Sequence, residues 1–272
     1  MSERYDVVII AGQSNAVGYG FGEADDPFIE SDDILELSDE YKIKFVKDEN
    51  GNSRLDIAIP PILYFGRARE KIDYERANAS LANSFAQEYL RAGLLPNGRK
   101  LLIVKAAVGG TGFAKRHWTL GGVCRDRMYY MIDKALSYSE DMRIVAFLWH
   151  QGEHDAFERA ELSADVRKSE HKRELLALFE EIRARYASHN FPIISGEFTP
   201  LWMNENKVAC DAVLSAIKEV SDEIGCAALV SSAGLTSNGE KNGNGDILHF
   251  SREALMEFGK RYFEEYKSLR GI

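Results

Sequence analysis

The feature that most constrains this chain is short: residues Tyr5 to Gly18 read YDVVIIAGQSNAVG. A run of β-formers, Val7, Val8, Ile9 and Ile10, ends in a small-residue turn, and Ser14 stands just beyond it. A continuous apolar run bounded by a turn predicts a strand covered on both faces, as in a parallel sheet. Ligands of open α/β sheets bind outside the carboxyl ends of such strands. A serine placed there becomes a nucleophile only with a base beside it and donors for the charge that develops on its target. The rest of the chain must supply those parts for Ser14 to do chemistry.

Strand-like and helix-like stretches alternate over most of the remaining chain. Leu81, Phe85, Ala86 and Tyr89 fall at helical spacing, with Gly93 as a stop. Leu101 to Ala107 predicts a strand leading into the turn Gly109-Gly110-Thr111. Met128, Met131, Ile132 and Leu136 predict a helix, and Arg143 to His150 a second buried strand. Ser163 can cap a helix from Ala164 to His189, whose Leu175, Leu178, Phe179 and Ile182 form one apolar stripe. A strand over Phe191 to Phe198, a helix over about Asn206 to Ile224 and a strand over Cys226 to Ser231 come next. The last helix starts after Ser251 and runs toward Leu269. Strands separated by helices imply right-handed crossovers, and so a three-layer α/β/α sandwich around a parallel sheet. No repeat or linker divides the chain, and residues 1–272 read as one domain.

The section from about Gly18 to Glu75 breaks this rhythm. It is acidic, contains Pro27, Pro60 and Pro61, and reads as a functional loop or as cover for short elements of its own. Glu23, Asp25, Asp26, Asp32, Asp33 and Glu36 lack the spacing of a calcium loop, so a solvated face is expected there.

Composition narrows the partners. A formal net charge of −9 and a pI near 5.3 argue against nucleic acid or an anionic membrane surface and favour a neutral or cationic small substrate. Cys124, Cys210 and Cys226 are too few and too scattered for a disulfide framework or a closed zinc site. The chain enters its first strand almost at once, without an apolar signal core or a run of transmembrane length. A soluble, cytoplasmic protein is expected, with its oligomeric state left open.

Four segments at the expected sheet edge carry chemical promise. Gly12-Gln13-Ser14-Asn15 offers a hydroxyl and a backbone N–H, although Ser and Asn also suit a plain helix cap. It is not a Gly-x-Ser-x-Gly elbow, since Ala16 stands where the second glycine would be. Val108-Gly109-Gly110-Thr111-Gly112, followed by Trp118, reads as an oxyanion donor through the Gly110 N–H or as a tight turn; it has no phosphate-loop or dinucleotide pattern. Trp149 to Asp155 (WHQGEHD) supplies the Gln151 amide for a developing charge and Glu153 to orient an imidazole or hold a hydroxyl. Zinc is not expected there, because His150 and His154 are not in a helical His-Glu-x-x-His. In Asp246-Ile247-Leu248-His249, an imidazole near neutral pKa is paired with a carboxylate that can fix its tautomer. Each segment alone has a structural reading; all four together, each after a strand or before a helix, read as a site.

In that order, these segments resemble the SGNH-type hydrolases, and most closely the sialate O-acetylesterase/acetylxylan esterase group, carbohydrate esterase family 6. The resemblance spans nearly the whole chain. It implies a flavodoxin-like fold and a serine esterase, free of metal or other cofactor, that removes acetyl groups from sugars. It also implies Ser14 as nucleophile, His249 as general base and acid, Asp246 as the residue that orients His249, and Glu153 as a rival or partner for that role. The Ser14 N–H, Gly110 N–H and Gln151 side chain would form the oxyanion hole. Gln13, Asn15 and Trp118 are expected to contact an acetylated sugar or oligosaccharide, while Trp149 is expected to pack in its strand. The acidic section from Gly18 to Glu75 matches no motif of the group, which leaves the sugar open. Two alternatives stand beside this reading: a short-acyl thioesterase or lipase-like hydrolase, and a carbohydrate-binding protein without turnover.

Overall fold

The computed structural model describes residues 3–39, 44–47, 53–56, 60–72, 77–158 and 161–272. Its centre is a seven-stranded sheet: β1 (Arg4–Gly12), β2 (Ile34–Asp39), β3 (Leu63–Arg67), β4 (Arg99–Lys105), β5 (Met142–His150), β6 (Ile193–Gly196) and β7 (Ala227–Val230). In space the order is β7-β6-β5-β1-β4-β2-β3, parallel throughout except for β3, which runs antiparallel to β2 along the edge. Two short antiparallel hairpins lie outside it.

Helices α1 (Ser14–Val17), α2 (Leu81–Arg91), α3 (Val123–Leu136), α4 (Glu153–Phe157), α5 (Ala164–Arg185), α6 (Pro200–Glu205), α7 (Lys207–Ile224), α8 (Asn238–Asn242) and α9 (Arg252–Arg270) complete the described chain. β1 explains the layering. Val7 and Ile9 point into a core shared with Met128, Leu175, Phe179, Val213 and Ile217 of α3, α5 and α7. Val8 and Ile10 point into the other core, shared with Leu81 and Phe85 of α2 and Leu255, Phe258 and Tyr262 of α9. Strand side chains alternate between faces, so a strand covered on both sides must be apolar at every position. Burying each such Val or Ile stabilises the fold by roughly 1.5–3 kcal/mol.

From β1 the chain builds β2, β3 and β4 on one side, β4 lying next to β1, and then enters β5 on the other. The carboxyl end of β1 is thus a topological switch point, where the sheet opens a crevice. The opposite end is closed by charge: buried Asp6 accepts from Arg99 Nε (2.6 Å), Arg143 Nη2 (2.8 Å) and Tyr89 OH (2.9 Å).

The expected elements are present with edges shifted by a few residues. The helix expected from Ala164 to His189 ends at Arg185 and finishes in a 3-10 turn, and α6 precedes the helix expected from Asn206. The acidic section is less of a loop than expected. Part of it forms β2 and β3, and Ile34, Leu35 and Leu37 are buried. Its solvated face needs a correction: Glu23, Asp25, Asp32 and Asp33 are exposed, but Glu36 is buried against Lys105 Nζ at 2.6 Å. Asp26 is bound by Arg91 (2.6 Å) and Lys260 (2.9 Å). No helix among the described residues is long and apolar enough to cross a membrane.

Candidate active site

Ser14 is the first residue of α1, directly past the carboxyl end of β1. The turn that places it depends on Gly12, whose φ is +128° and whose missing side chain lets β5 close in; a Cβ there would lie 2.0 Å from His150 O. Gly12 pairs with His150 across the sheet, Gln13 N–H donates to His150 O (2.9 Å), and Val108 N–H donates to Gly12 O (2.9 Å). The three segments expected after β1, β4 and β5 are therefore stitched together by backbone.

The fourth segment arrives through Asn15. Its amide donates to Leu248 O (3.2 Å) and accepts from Phe250 N–H (3.2 Å), gripping the chain on both sides of His249. Asp246 Oδ2 lies 2.9 Å from His249 Nδ1, and Asp246 Oδ1 accepts the His249 N–H (3.1 Å). Asn238 Nδ2 adds a bond to Asp246 Oδ2 (3.1 Å). Burial works to raise the Asp246 pKa, but the His249 contact and the Asn238 bond outweigh it and bring it down to about 2. Asp246 is thus an anion beside the imidazole at neutral pH.

Glu153 stands elsewhere. It opens α4, a short helix in a stretch expected to be loop, and its Oε1 accepts from Asn15 Nδ2 (2.7 Å) and meets His150 Nε2 at 3.1 Å. His150 in turn touches Tyr262 OH at 3.2 Å, and that hydroxyl donates to Trp149 O (3.1 Å). Burial alone would lift the Glu153 carboxyl; His150 and the Asn15 bond hold it below the usual range. Of the two carboxylates weighed for His249, Asp246 touches its ring, and Glu153 reaches His249 only through Asn15.

Gly110 sits in the left-handed turn after β4 with φ +68°. Among the described residues, neither its N–H nor that of Ser14 makes a hydrogen bond. Gln151 is buried, with Nε2 donating to Asp155 Oδ2 (3.0 Å) and making longer approaches to Gln13 Oε1 (3.4 Å) and Thr111 O (3.5 Å). Asp155 also accepts from Ala114 N–H (2.8 Å) and lies 3.1 Å from His171 Nδ1, so it ties the loop after β4 to α5.

The residues expected to meet substrate are placed differently. Gln13, Asn15 and Trp118 are all buried. Gln13 Oε1 accepts His154 N–H (3.1 Å), and Trp118 Nε1 donates to Thr111 Oγ1 (2.9 Å). Gln13 Oε1, the Asn15 amide and Trp118 Nε1 are bonded within the protein, as buried polar groups require. Trp149 lies in its strand against Trp118 and Phe179, as expected for a packing residue. Sequence reasoning missed Asn238, which bonds Asp246, and His171, which meets Asp155. A lone His on the apolar face of α5 and an Asn opening the short helix α8 carry no pattern that marks them. Among the described residues, no group of three or more His, Cys, Asp or Glu side chains converges as a metal site would.

A family described as carbohydrate esterase, sialic acid-specific acetylesterase matches residues 4–268. The chain belongs to that family. It is an esterase, and membership implies an acetylated carbohydrate as substrate. Its fold is that of NanS, with a TM-score of 0.74 and 18% identity over 100% of this chain and 99% of that one. An Arabidopsis thaliana protein shares it at a TM-score of 0.64 and 19% identity, covering 97% of this chain and 98% of its own. A carbohydrate acetylesterase from Xanthomonas citri aligns at 0.60 and 14% identity, over 98% of this chain and 57% of that one. No curated protein sequence matches the chain. The SGNH-type fold expected from the motifs is thus the fold found; a lipase/acylhydrolase from Enterococcus faecalis aligns at a TM-score of 0.51 and 12% identity, over 97% of this chain and 96% of that one.

Proposed function

We propose that this esterase removes O-acetyl groups from a carbohydrate by a serine mechanism with an acyl-enzyme intermediate. Ser14 Oγ attacks the acetyl carbonyl while His249 takes its proton. The Ser14 and Gly110 N–H groups, with the second hydrogen of Gln151 Nε2, receive the oxyanion. Each donor is typically worth about 3–4 kcal/mol of barrier. His249 then protonates the departing sugar oxygen and activates the water that releases acetate. Asp246 holds the imidazole in the tautomer with Nδ1–H toward itself and Nε2 free to accept. Gln13, Asn15, Glu153 and Trp118 hold this machinery in place from below. The observation that carries the reading is the His249–Asp246 pair, delivered to the serine turn by Asn15.

The test is hydrolysis of 4-nitrophenyl acetate, longer-chain esters and acetylated sugars by the purified protein, beside Ser14→Ala and His249→Ala. Turnover of acetyl esters in preference to longer ones, lost in both variants, is expected. Equal turnover in Ser14→Ala would overturn the mechanism, and a preference for long acyl chains would overturn the substrate class.

A further inference from the structure

Tyr19 lies just past α1 and is partly buried, with its ring edge-on to His249 at a centroid distance of 5.6 Å. Its hydroxyl stands over the glycine turn after β4, since a methyl group on Gly109 would sit 3.2 Å from Tyr19 OH. The phenol thus spans the gap between His249 and the backbone that leads into Gly110. Among the described residues the hydroxyl has no hydrogen-bond partner, although a phenol in such a crevice is both donor and acceptor.

The backbone that presents this ring is held on both sides. Tyr19 O accepts from Asn238 Nδ2 (2.8 Å), and Phe21 N–H donates to Asn238 Oδ1 (2.8 Å). The same Asn238 amide bonds Asp246, so one side chain sets both Tyr19 and the carboxylate behind His249. Before Tyr19 the chain passes Gly18, at φ +97°, so close to the segment leading into α2 that a Cβ would lie 2.3 Å from Ala79 O. A fixed backbone, a ring against His249 and a free hydroxyl beside the oxyanion turn are the marks of a preorganised ligand contact.

We infer that Tyr19 contacts the sugar side of the ester, its hydroxyl bonding a sugar oxygen while its ring packs against His249. This rests on the serine-esterase reading above and adds the residue that distinguishes a sugar from a bare leaving group. The partner is a hydroxyl-bearing alcohol, because the free phenol both donates and accepts and carries no charge to attract an ion.

Tyr19→Phe keeps the ring against His249 and removes only the hydroxyl. The readout is the ratio of kcat/KM for an acetylated sugar, mono-O-acetylated N-acetylneuraminic acid or acetylated xylan, to kcat/KM for 4-nitrophenyl acetate. Losing one neutral hydrogen bond should lower that ratio about fivefold to tenfold. A purely structural role would reduce both substrates together, so an unchanged ratio overturns the inference and leaves the serine mechanism standing. If the wild-type protein hydrolyses 4-nitrophenyl acetate and no acetylated sugar, the carbohydrate reading fails and this inference fails with it.

Discussion

Asn15 fixes His249 without touching its ring. The amide next to the candidate nucleophile bonds Leu248 O and Phe250 N–H, each at 3.2 Å, so the turn that carries Ser14 also grips the loop that carries the imidazole. Glu153 Oε1 braces the same amide at 2.7 Å. Two loops far apart in sequence are therefore one rigid unit at the switch point of the sheet.

Removing that grip should misplace the base more than it weakens binding. Asn15→Ala is expected to lower kcat by about 10- to 100-fold, the scale set by displacements near 1 Å, with little change in KM. It also leaves the buried Phe250 N–H without a partner, at about 1–3 kcal/mol, and leaves Glu153 with His150 alone. Steady-state kinetics and thermal unfolding check both parts. A lower melting temperature with kcat intact would reduce the clamp to a packing feature.

The two carboxylates can be separated by isosteric exchange. Asp246→Asn presents an amide to His249 Nδ1 and disfavours the useful tautomer, so kcat should fall by up to about 10⁴. Glu153→Gln changes the partner of His150 and Asn15, and its main effect should be on stability, with a smaller loss of kcat. The larger kcat loss in Glu153→Gln would make that residue the orienting acid.

The strands of the sheet were legible because β1 is apolar on both faces and ends at a small-residue turn, a pattern with few other solutions. β2 was hidden, because Glu36 and Asp39 make a strand look like a solvated acidic loop until Lys105 and Arg127 are seen to neutralise them. The buried Asp6 network was hidden for the same reason: a charge inside a strand makes sense only with its distant partners in place. At the site, the residue types were readable from the short motifs, but their division of labour was not. Gln13, Asn15 and Trp118 lie within or beside motifs, which draws them toward substrate; only the packing reveals the internal bonds of Gln13 Oε1, the Asn15 amide and Trp118 Nε1. Tyr19 and Asn238 act through tertiary contacts with no local signature.

Asp155 offers a test of the proposed oxyanion hole that leaves its donors in place. Its carboxylate accepts from Gln151 Nε2 and sits beside His171, and it is held below the usual pKa range because His171, Ala114 N–H and Gln151 outweigh the opposing effect of burial. Asp155→Asn sets an amide against the Gln151 amide and should let that side chain turn. A fall of about tenfold in kcat with KM nearly constant is expected, against about 10²–10³ for Gln151→Ala. Equal kcat in wild type and Asp155→Asn would mean that Gln151 is oriented by something else.

Acid should loosen the loop after β4 before it reaches the Asp246 carboxylate. His117 accepts Gly112 N–H at Nδ1 (3.2 Å), and burial together with the neighbouring His154 brings its pKa down from 6.5 to about 4. Between those values the unfolded chain binds a proton that the folded chain refuses, so stability falls as pH drops from about 6.5 to about 4. Asp246 acts lower, from its ordinary 3.8 down to about 2, where protonation removes its interaction with His249. Melting temperatures across pH 7 to 4 should therefore decline, and His117→Gln, which keeps an acceptor but does not titrate, should flatten the decline. A parallel decline in the variant would place the acid sensitivity on other groups.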